Sequence, residues 1–192
     1  MKEQDEKKSS ARLTAIDWVN AAFRALVQGG ISAVRIEPIA RSIKTTKGSF
    51  YWHYKDLAAL KEDMLQRWVK LATDDITAAV VSQKLKPREA LLALIDQVSV
   101  LPDDIYGGAA VEPAIRDWGR FDEKARQVVA EVDVTRMAYL QVLFIGAGLN
   151  QPEASNAAKT FYAIVVGVEH LRLTSEVDMA KMLRELVETY LG

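Results

Sequence analysis

The chain has 192 residues, of which 49% are hydrophobic and 27% are charged, and its formal net charge is −1. Cysteine is absent, which excludes disulfides, thiolate zinc sites and cysteine nucleophiles. The charged N-terminal segment does not resemble a signal peptide, and no apolar run reaches the roughly 18–20 residues of a membrane span. This predicts a soluble, cytoplasmic protein with enough apolar residues for a buried core.

Apolar residues recur at intervals of three or four along the whole chain, and strict alternation is missing. This spacing is typical of amphipathic helices, so we predict an all-α fold of about nine helices. The first helix follows a charged arm and continues to about residue 28. Ser9 or Ser10 is the candidate N-cap, and Gly29 and Gly30 end the helix. We expect this helix to support the two that follow.

Residues 36–55 (IEPIARSIKTTKGSFYWHYK) predict two short helices joined by a tight turn. Ile36, Ile39, Ala40 and Ile43 line one face of the first short helix. The residues that follow are poor helix-interior choices, and a threonine at the end of this break is a good N-cap for the second helix.

The second short helix begins with basic and small residues and continues with aromatic ones. Its cationic, hydroxyl and ring groups can donate hydrogen bonds to phosphates or base edges, and Gly48 leaves room for close approach. Phe50 and Tyr54 are four residues apart and can point back at the preceding helix. A buried helix does not need such a cluster of donors, whereas the second helix of a helix-turn-helix unit enters the major groove N-terminus first. The predicted DNA-binding residues are Arg35, Thr45, Thr46, Lys47, Gly48, Ser49, Tyr51, Trp52, His53, Tyr54 and Lys55.

These residues divide into two predicted roles. We expect the base-edge contacts among Thr45, Thr46, Lys47 and Trp52. Tyr51, His53 and Lys55 should bind phosphates and so fix the position of the helix on the duplex.

The charge distribution favours DNA binding. Residues 1–56 contain ten Lys and Arg against six Asp and Glu, whereas residues 57–192 contain 15 against 20. Because the N-terminal part is basic and the rest of the chain is acidic, the positive potential that attracts phosphates is limited to the N-terminal part. The alternative is a helical protein–protein interaction module without DNA binding, whose aromatic helix docks into a groove of another protein.

The run from Trp18 to Leu60 resembles the DNA-binding domain of TetR-type transcriptional regulators. The matching residues are Ala21-Ala22, Leu26, Gly29-Gly30, Ile36, Ile39-Ala40, the run KGSFYWHY from Lys47 to Tyr54, and Leu60. The family usually has Gly where this chain has Lys44, so we expect a strained or reshaped turn there. It usually has Lys where this chain has Leu57, and Lys55 is the candidate substitute for that phosphate contact.

The rest of the chain predicts further helices separated by short breaks. Asp56 is the candidate N-cap of the first, and Pro87 is well placed at the start of another. The predicted helices cover residues 57–82, 88–101, 114–118, 122–147, 153–173 and 177–191.

The segment Ala114-Ile115-Arg116-Asp117-Trp118, residues 126–136 and Gly167 are similar to the C-terminal domain of many TetR-type proteins. This implies two domains: a helix-turn-helix DNA-binding domain over residues 1–56, and a helical effector-binding and dimerisation domain over residues 57–192. Large apolar and amphipathic residues near chain irregularities are the candidate lining of an effector pocket, although each could be ordinary core. They are Trp68, Tyr106, Trp118, Phe121, Met137, Tyr139 and Tyr162.

One recognition helix makes few base contacts, and useful affinity normally comes from a dimer that reads two half-sites. We therefore expect a homodimer on a palindromic double-stranded operator, and no membrane partner. The last two helices are the candidate interface, unless their apolar residues only fill the core of their own chain. The candidate interface residues are Phe161, Val165, Val168, Leu183, Val187 and Tyr190.

Catalytic motifs are missing from the sequence. It contains two histidines, His53 and His170, and has no HExxH, no glycine-rich phosphate loop and no Gly-x-Ser-x-Gly. We therefore predict no catalytic residue, no metal site and no cofactor. The predicted function is a sequence-specific DNA-binding regulator, in the form of a repressor released by a small-molecule effector.

Overall fold

The computed structural model describes residues 13–100 and 107–192. Over these ranges the chain is α-helical and contains no strand, which confirms the predicted fold class. A π-helical segment, Lys70–Asp74, joins the fourth and fifth helices into one continuous rod. The α-helices are α1 (Ala15–Gly29), α2 (Ile36–Ser42), α3 (Lys47–Phe50), α4 (Leu57–Val69), α5 (Asp75–Val81), α6 (Pro87–Ser99), α7 (Val111–Gly119), α8 (Glu123–Gly146), α9 (Gln151–Leu171) and α10 (Met179–Leu191).

The first helix begins later than predicted. The candidate caps Ser9 and Ser10 lie outside the described residues, and α1 is capped by Thr14. The Thr14 backbone N–H and hydroxyl donate to Asp17 Oδ2 at 2.7 and 2.8 Å, and these bonds lower the pKa of Asp17. A threonine followed three residues later by an acid is a capping pattern.

The turn between α2 and α3 has the unusual backbone that the sequence suggested. Lys44 lies in the left-handed region at φ 53°, where the family usually has glycine. The next backbone N–H, that of Thr45, donates to the carbonyl of Ala40 at 2.9 Å and closes the turn. Thr46 is the N-cap of α3, with its side chain accepting from Ser49 N at 3.3 Å, as predicted for a threonine at this break.

A first hydrophobic core holds the N-terminal helices together. Phe50 is fully buried, and its ring meets that of Trp18 edge-on at 5.3 Å between centroids. The same core continues into Leu60 and Met64 of α4, and into α7 and the start of α8. The proposed domain boundary after residue 56 stays a prediction, and α4 shares the core of the helices that precede it.

A second hydrophobic core lies among α5, α6, α8, α9 and α10. It contains five of the six side chains predicted for the dimer interface: Phe161, Val165, Val168, Leu183 and Val187. The sixth, Tyr190, is partly buried with its ring 6.2 Å from that of Phe144. This corrects the choice of interface residues, because the apolar faces of α9 and α10 are used inside the chain.

We expect Lys44→Gly to stabilise the protein. A side chain in the left-handed region costs about 1–2 kcal/mol, and glycine removes this cost. Glycine also raises the entropy of the unfolded chain, which offsets part of the gain. The free energy of unfolding should therefore rise by about 0.5–1 kcal/mol. Lys44→Ala removes the same charge but keeps the strain and is the control. Urea denaturation of both variants measures the difference, and equal stability would contradict a strained turn.

Candidate nucleic-acid interface and ligand cavity

The segment from Thr45 to Lys55, here called the reading tip, presents aromatic side chains to solvent. Trp52 is 85% exposed and Tyr51 is 53% exposed, whereas the preceding residue, Phe50, is fully buried in the first core. The backbone N–H groups of His53 and Tyr54 both donate to the Phe50 carbonyl, which extends the helical turn beyond α3. Exposed large rings on an anchored turn are typical of a surface that contacts a partner.

The structure leaves ten of the eleven predicted DNA-binding residues accessible, at least in part. Exposed residues are Arg35, Thr46, Lys47, Gly48, Tyr51, Trp52 and Lys55, and partly buried ones are Thr45, Ser49 and His53. Lys55, the candidate substitute for the lysine missing at position 57, is among the exposed ones.

Tyr54 differs from the other predicted residues because it is buried. Its hydroxyl donates to Asp63 Oδ2 at 2.8 Å and lies 3.2 Å from the carbonyl oxygen of Ala15. Burial, together with the hydrogen bond to Asp63, raises the pKa of Tyr54. The side chain therefore ties the reading tip to α4 and does not offer its hydroxyl to a partner.

Lys47 has an acidic neighbour. Its Nζ lies 3.3 Å from Glu37 Oε1, and both side chains are more than half exposed. An exposed ion pair contributes little and exchanges readily, so Lys47 remains available to a stronger anionic partner.

A cavity of about 520 Å³ lies among the α4–α5 rod and helices α6 to α9. Of the predicted pocket residues, Trp68, Tyr139 and Tyr162 line it. The other described ones do not, because Trp118 packs in the first core, Phe121 is 77% exposed and Met137 packs against the second core. Tyr106 lies outside the described residues.

Beside the cavity is a buried ionic cluster that the sequence analysis missed, formed by Glu112, Arg116, Asp133, Arg136 and Tyr162. Glu112 Oε1 accepts from Arg116 Nη2 at 2.9 Å and from Arg136 Nη1 at 3.0 Å. Arg116 Nη2 also donates to Asp133 Oδ1 at 2.8 Å. The Tyr162 hydroxyl donates to the same Asp133 oxygen at 2.6 Å. Two acids and two guanidinium groups thus join α7 to α8, and the phenol of Tyr162 joins α9 to them.

The α4–α5 rod is tied to this cluster at two points. Glu112 Oε2 accepts from the indole Nε1 of Trp68 at 2.7 Å. Arg136 donates from Nε to Thr73 Oγ1 at 3.0 Å and from Nη2 to the Ala72 carbonyl at 2.9 Å. Both of these acceptors lie in the π-helical segment.

The electrostatics of the cluster favour its charged form. Burial opposes the charge on Arg116, but the hydrogen bond to Asp133 and the charge of Glu112 outweigh it and raise the pKa. The pKa of Arg136 is raised in the same way, chiefly by Glu112 against the effect of burial. The sequence contains one indication of this cluster: Glu112 and Arg116 are four residues apart, and Asp133 and Arg136 are three apart, which are spacings that allow ion pairs on a helix.

Glu169 also lines the cavity but stands outside this network. Its Oε2 is buried without a hydrogen-bond partner. Burial and the nearby charge of Glu112 raise the pKa of Glu169 to about 8, against the opposing effects of Arg136, Arg116 and Arg172. Buried polar atoms are rarely left without a partner, so Glu169 marks an unused acceptor in the wall.

Two further kinds of feature are absent from the described residues. In 13–100 and 107–192 no group of histidine, aspartate and glutamate side chains is placed to hold a metal ion. No helix of this part of the chain combines the length and the apolar character needed to cross a membrane.

An exposed aromatic and basic tip on a capped two-helix turn, carried by an all-α body, is typical of a helix-turn-helix DNA-binding protein. Residues 19–66 match the family model for bacterial regulatory proteins of the tetR family. This match and the fold support a TetR-type transcriptional regulator, as the sequence predicted. The comparison with curated proteins finds no match.

Solved structures share the fold over almost the whole chain. A transcriptional regulator from Saccharomonospora viridis in complex with choline has a TM-score of 0.73 at 18% identity, covering 92% of this chain and 94% of that one. A TetR-family regulator from Rhodococcus sp. has a TM-score of 0.72 at 18% identity, covering 93% and 98%. NemR of E. coli in its reduced form has a TM-score of 0.70 at 15% identity, covering 93% and 97%.

We expect Glu112→Gln to destabilise the protein strongly. The change leaves two buried guanidinium groups without their shared carboxylate, and removing one partner of a buried pair costs about 3–5 kcal/mol. The control is Glu62→Gln, because Glu62 forms an exposed pair with Lys124 at 3.0 Å. Its loss should cost less than about 1 kcal/mol. Comparable denaturation midpoints for the two variants would contradict a structural role of the cluster.

Proposed function

We propose that the chain is a homodimeric repressor that acts in the cytoplasm, binds a palindromic operator through its two reading tips, and leaves the operator when a small molecule enters the cavity. The exposed Trp52 beside buried Phe50 carries the DNA-binding part of this proposal. Repression needs only that the operator be occupied, whereas activation needs a further contact.

The contacts with the duplex follow from the accessibility of the reading tip. Thr45, Thr46, Lys47 and Trp52 are proposed to reach base edges from the N-terminal end of the recognition turn, which enters the major groove first. Phosphate contacts are assigned to Tyr51, His53 and Lys55, with Arg35 at the start of α2 as a further donor. Tyr54 is left out of this set because its hydroxyl is engaged by Asp63.

The dimer interface is proposed on the outer faces of α9 and α10, since their inner faces fill the second core. Ala163, Gly167 and Leu171 are exposed on α9 at intervals of four, and Met182 is exposed on α10. Small residues in such a row allow two helices to approach closely, and a two-fold axis would place the same row on both sides of the interface.

Coupling between cavity and tip is proposed to pass through the α4–α5 rod. Its N-terminal end is held by Asp56, which caps α4, and by the hydrogen bond from Tyr54 to Asp63. Its π-helical segment is held by Arg136. A ligand that moves Arg136 would shift the rod and the spacing of the two tips. It releases DNA only if it binds the two spacings unequally.

The fold comparison supports the ligand part. A protein of this fold has been solved with choline, a small organic cation. The cavity here has the size of ordinary small-molecule sites, about 300–1,000 Å³.

We expect Lys47→Ala and Tyr51→Phe to affect DNA binding differently. With an operator selected from a randomised duplex library, Lys47→Ala should cost about 1–3 kcal/mol and relax specificity at one base pair, while Tyr51→Phe should weaken all sequences alike. Fluorescence anisotropy over a salt series measures both effects. Lys84→Ala, an exposed lysine after α5, is the control and should leave affinity unchanged.

Two results would contradict this assignment. Identical losses for both variants on every sequence would remove the division between base and phosphate contacts. Binding of the selected duplex that does not weaken as salt rises would favour the alternative of an apolar protein-docking helix, because phosphate contacts release counterions and so depend on salt.

We expect Ala163→Glu to turn the dimer into a monomer. Two glutamates facing each other across a close helix pair repel and cannot be solvated there. Sedimentation at micromolar concentration should show a dimer for the unmodified chain and a monomer for this variant. Ala130→Glu, at an exposed position of α8, is the matched control. A monomeric unmodified chain would refute the proposed assembly.

A further inference from the structure

We infer that the ligand of the cavity carries a protonated amine on an apolar body, and that the carboxylate of Glu169 binds this amine. The inference rests on the proposed ligand role of the cavity and adds the chemical class of the ligand.

The apolar part follows from the walls of the cavity. Trp68, Ile76, Leu94, Tyr139, Phe161 and Val165 are among the lining residues. Such a surface favours a ligand whose main contribution to binding is the removal of hydrocarbon from water.

The polar group of the ligand is inferred from which side chains near the cavity are already hydrogen-bonded within the protein. Arg136 donates from Nη1 to Glu112 and Tyr162, from Nη2 to Glu112 and the Ala72 carbonyl, and from Nε to Thr73. All five of its N–H groups are therefore taken.

The two other arginines near the cavity are engaged to different degrees. Arg116 donates from Nε, Nη1 and Nη2 to Glu112 and Asp133. Arg172 donates from Nη2 to the Ser99 carbonyl at 3.2 Å. A ligand anion would have to break bonds within the protein to gain a donor from Arg136, whereas Arg172 keeps N–H groups for such an anion, and the hexanoate probe below tests that alternative.

Glu169 presents the opposite situation, since its Oε2 is buried without any donor. A buried carboxyl oxygen without a partner is costly, and a ligand that supplies an N–H group removes that cost. A charged donor also forms a stronger hydrogen bond than a neutral one. An ammonium group meets both conditions.

The charges that face Glu169 set the sign of the pH dependence. Glu112 and Arg116 face it from α7, Arg136 from α8 and Arg172 from the end of α9. Tyr139 and Tyr162 are the titratable phenols of the wall, and burial raises the pKa of both.

Burial and the charge of Glu112 raise the pKa of Glu169 to about 8, so this carboxyl is mostly protonated at pH 7 in the empty cavity. A bound ammonium favours the ionised form, so binding at pH 7 releases a proton from Glu169. Affinity should therefore rise about tenfold from pH 6 to pH 7 and level off above pH 8, while the amine itself stays protonated.

The test uses three probes with the same hydrocarbon chain: hexylamine, 1-hexanol and hexanoate. Isothermal titration of the full-length chain at pH 7.5 should show hexylamine binding at least about tenfold more tightly than the other two, as a charge-assisted hydrogen bond requires. Titration in two buffers of different ionisation enthalpy should show release of most of one proton per amine bound at pH 7.

Glu169→Gln keeps the shape of the side chain and removes its charge. The variant should lose the tenfold preference for hexylamine and the proton release, while 1-hexanol binds as before and so shows that the cavity is intact. Glu176→Gln, at an exposed position after α9, is the control and should behave as the unmodified chain.

The outcomes separate this inference from the proposed function. Preference for 1-hexanol or hexanoate, or an unchanged preference in Glu169→Gln, would overturn the amine class while leaving a ligand-binding cavity. Binding of none of the three probes would overturn it as well. Binding of hexylamine as expected, but without any loss of operator affinity, would support the amine class and overturn the release of DNA by the ligand.

Discussion

The packing of the helices after α3 depends on the hydrogen bonds that the carboxylate of Glu112 accepts. This carboxylate accepts hydrogen bonds from Trp68 on α4, Arg116 on α7 and Arg136 on α8, and Glu112 is 7% exposed. An isolated carboxylate at this depth would be strongly destabilising, and so would either guanidinium without it. The three helices are thus held in a fixed relation by groups that cannot separate without leaving a buried charge unpaired.

This constraint joins the two hydrophobic cores. Trp68 belongs to the first core, and Tyr162, whose hydroxyl lies 3.2 Å from Arg136 Nη1, belongs to the second. Apolar contacts are not directional, so two packed cores alone would tolerate small slides against each other. Hydrogen bonds to charged groups are directional and short, so they fix the relative position of the helices that they join. The α4–α5 rod is tied to the cavity wall by such bonds, from Arg136 to Thr73 and to the Ala72 carbonyl.

The sequence predicted most of the N-terminal part because the signals there are local, although Tyr54 is buried and α1 begins after Thr14. The break at Lys44 to Thr46, the cap at Asp56 and the aromatic run after Lys47 are all read from neighbouring residues, and the structure has the turn, the caps and the exposed rings. Even the departure at Lys44 was informative, since the residue lies at φ 53°. A tight turn leaves few conformations to choose from.

The body was harder to predict because its chemistry depends on contacts distant in the sequence. Trp68 and Glu112 are 44 residues apart, and Arg136 and Thr73 are 63 apart. A charged residue in an amphipathic helix normally lies on the solvated face, so the sequence pattern does not indicate that Glu112 and Arg136 are buried. Apolar periodicity also does not show which helix packs against an apolar face. It is therefore compatible with a dimer interface at Phe161 and Leu183, whereas these side chains fill the core of their own chain.

The charge balance of the cluster explains why Glu169 stands apart from it. Glu112 and Asp133 compensate Arg116 and Arg136, so the cluster is neutral without Glu169. Glu169 is then a surplus acid, because burial and the charge of Glu112 raise its pKa against the opposing effects of Arg136, Arg116 and Arg172. A surplus acid contributes nothing to the fold that a neutral side chain would not, and leaving its oxygen unpaired is unfavourable. Its place in the cavity wall is understandable if the missing donor comes from outside the chain.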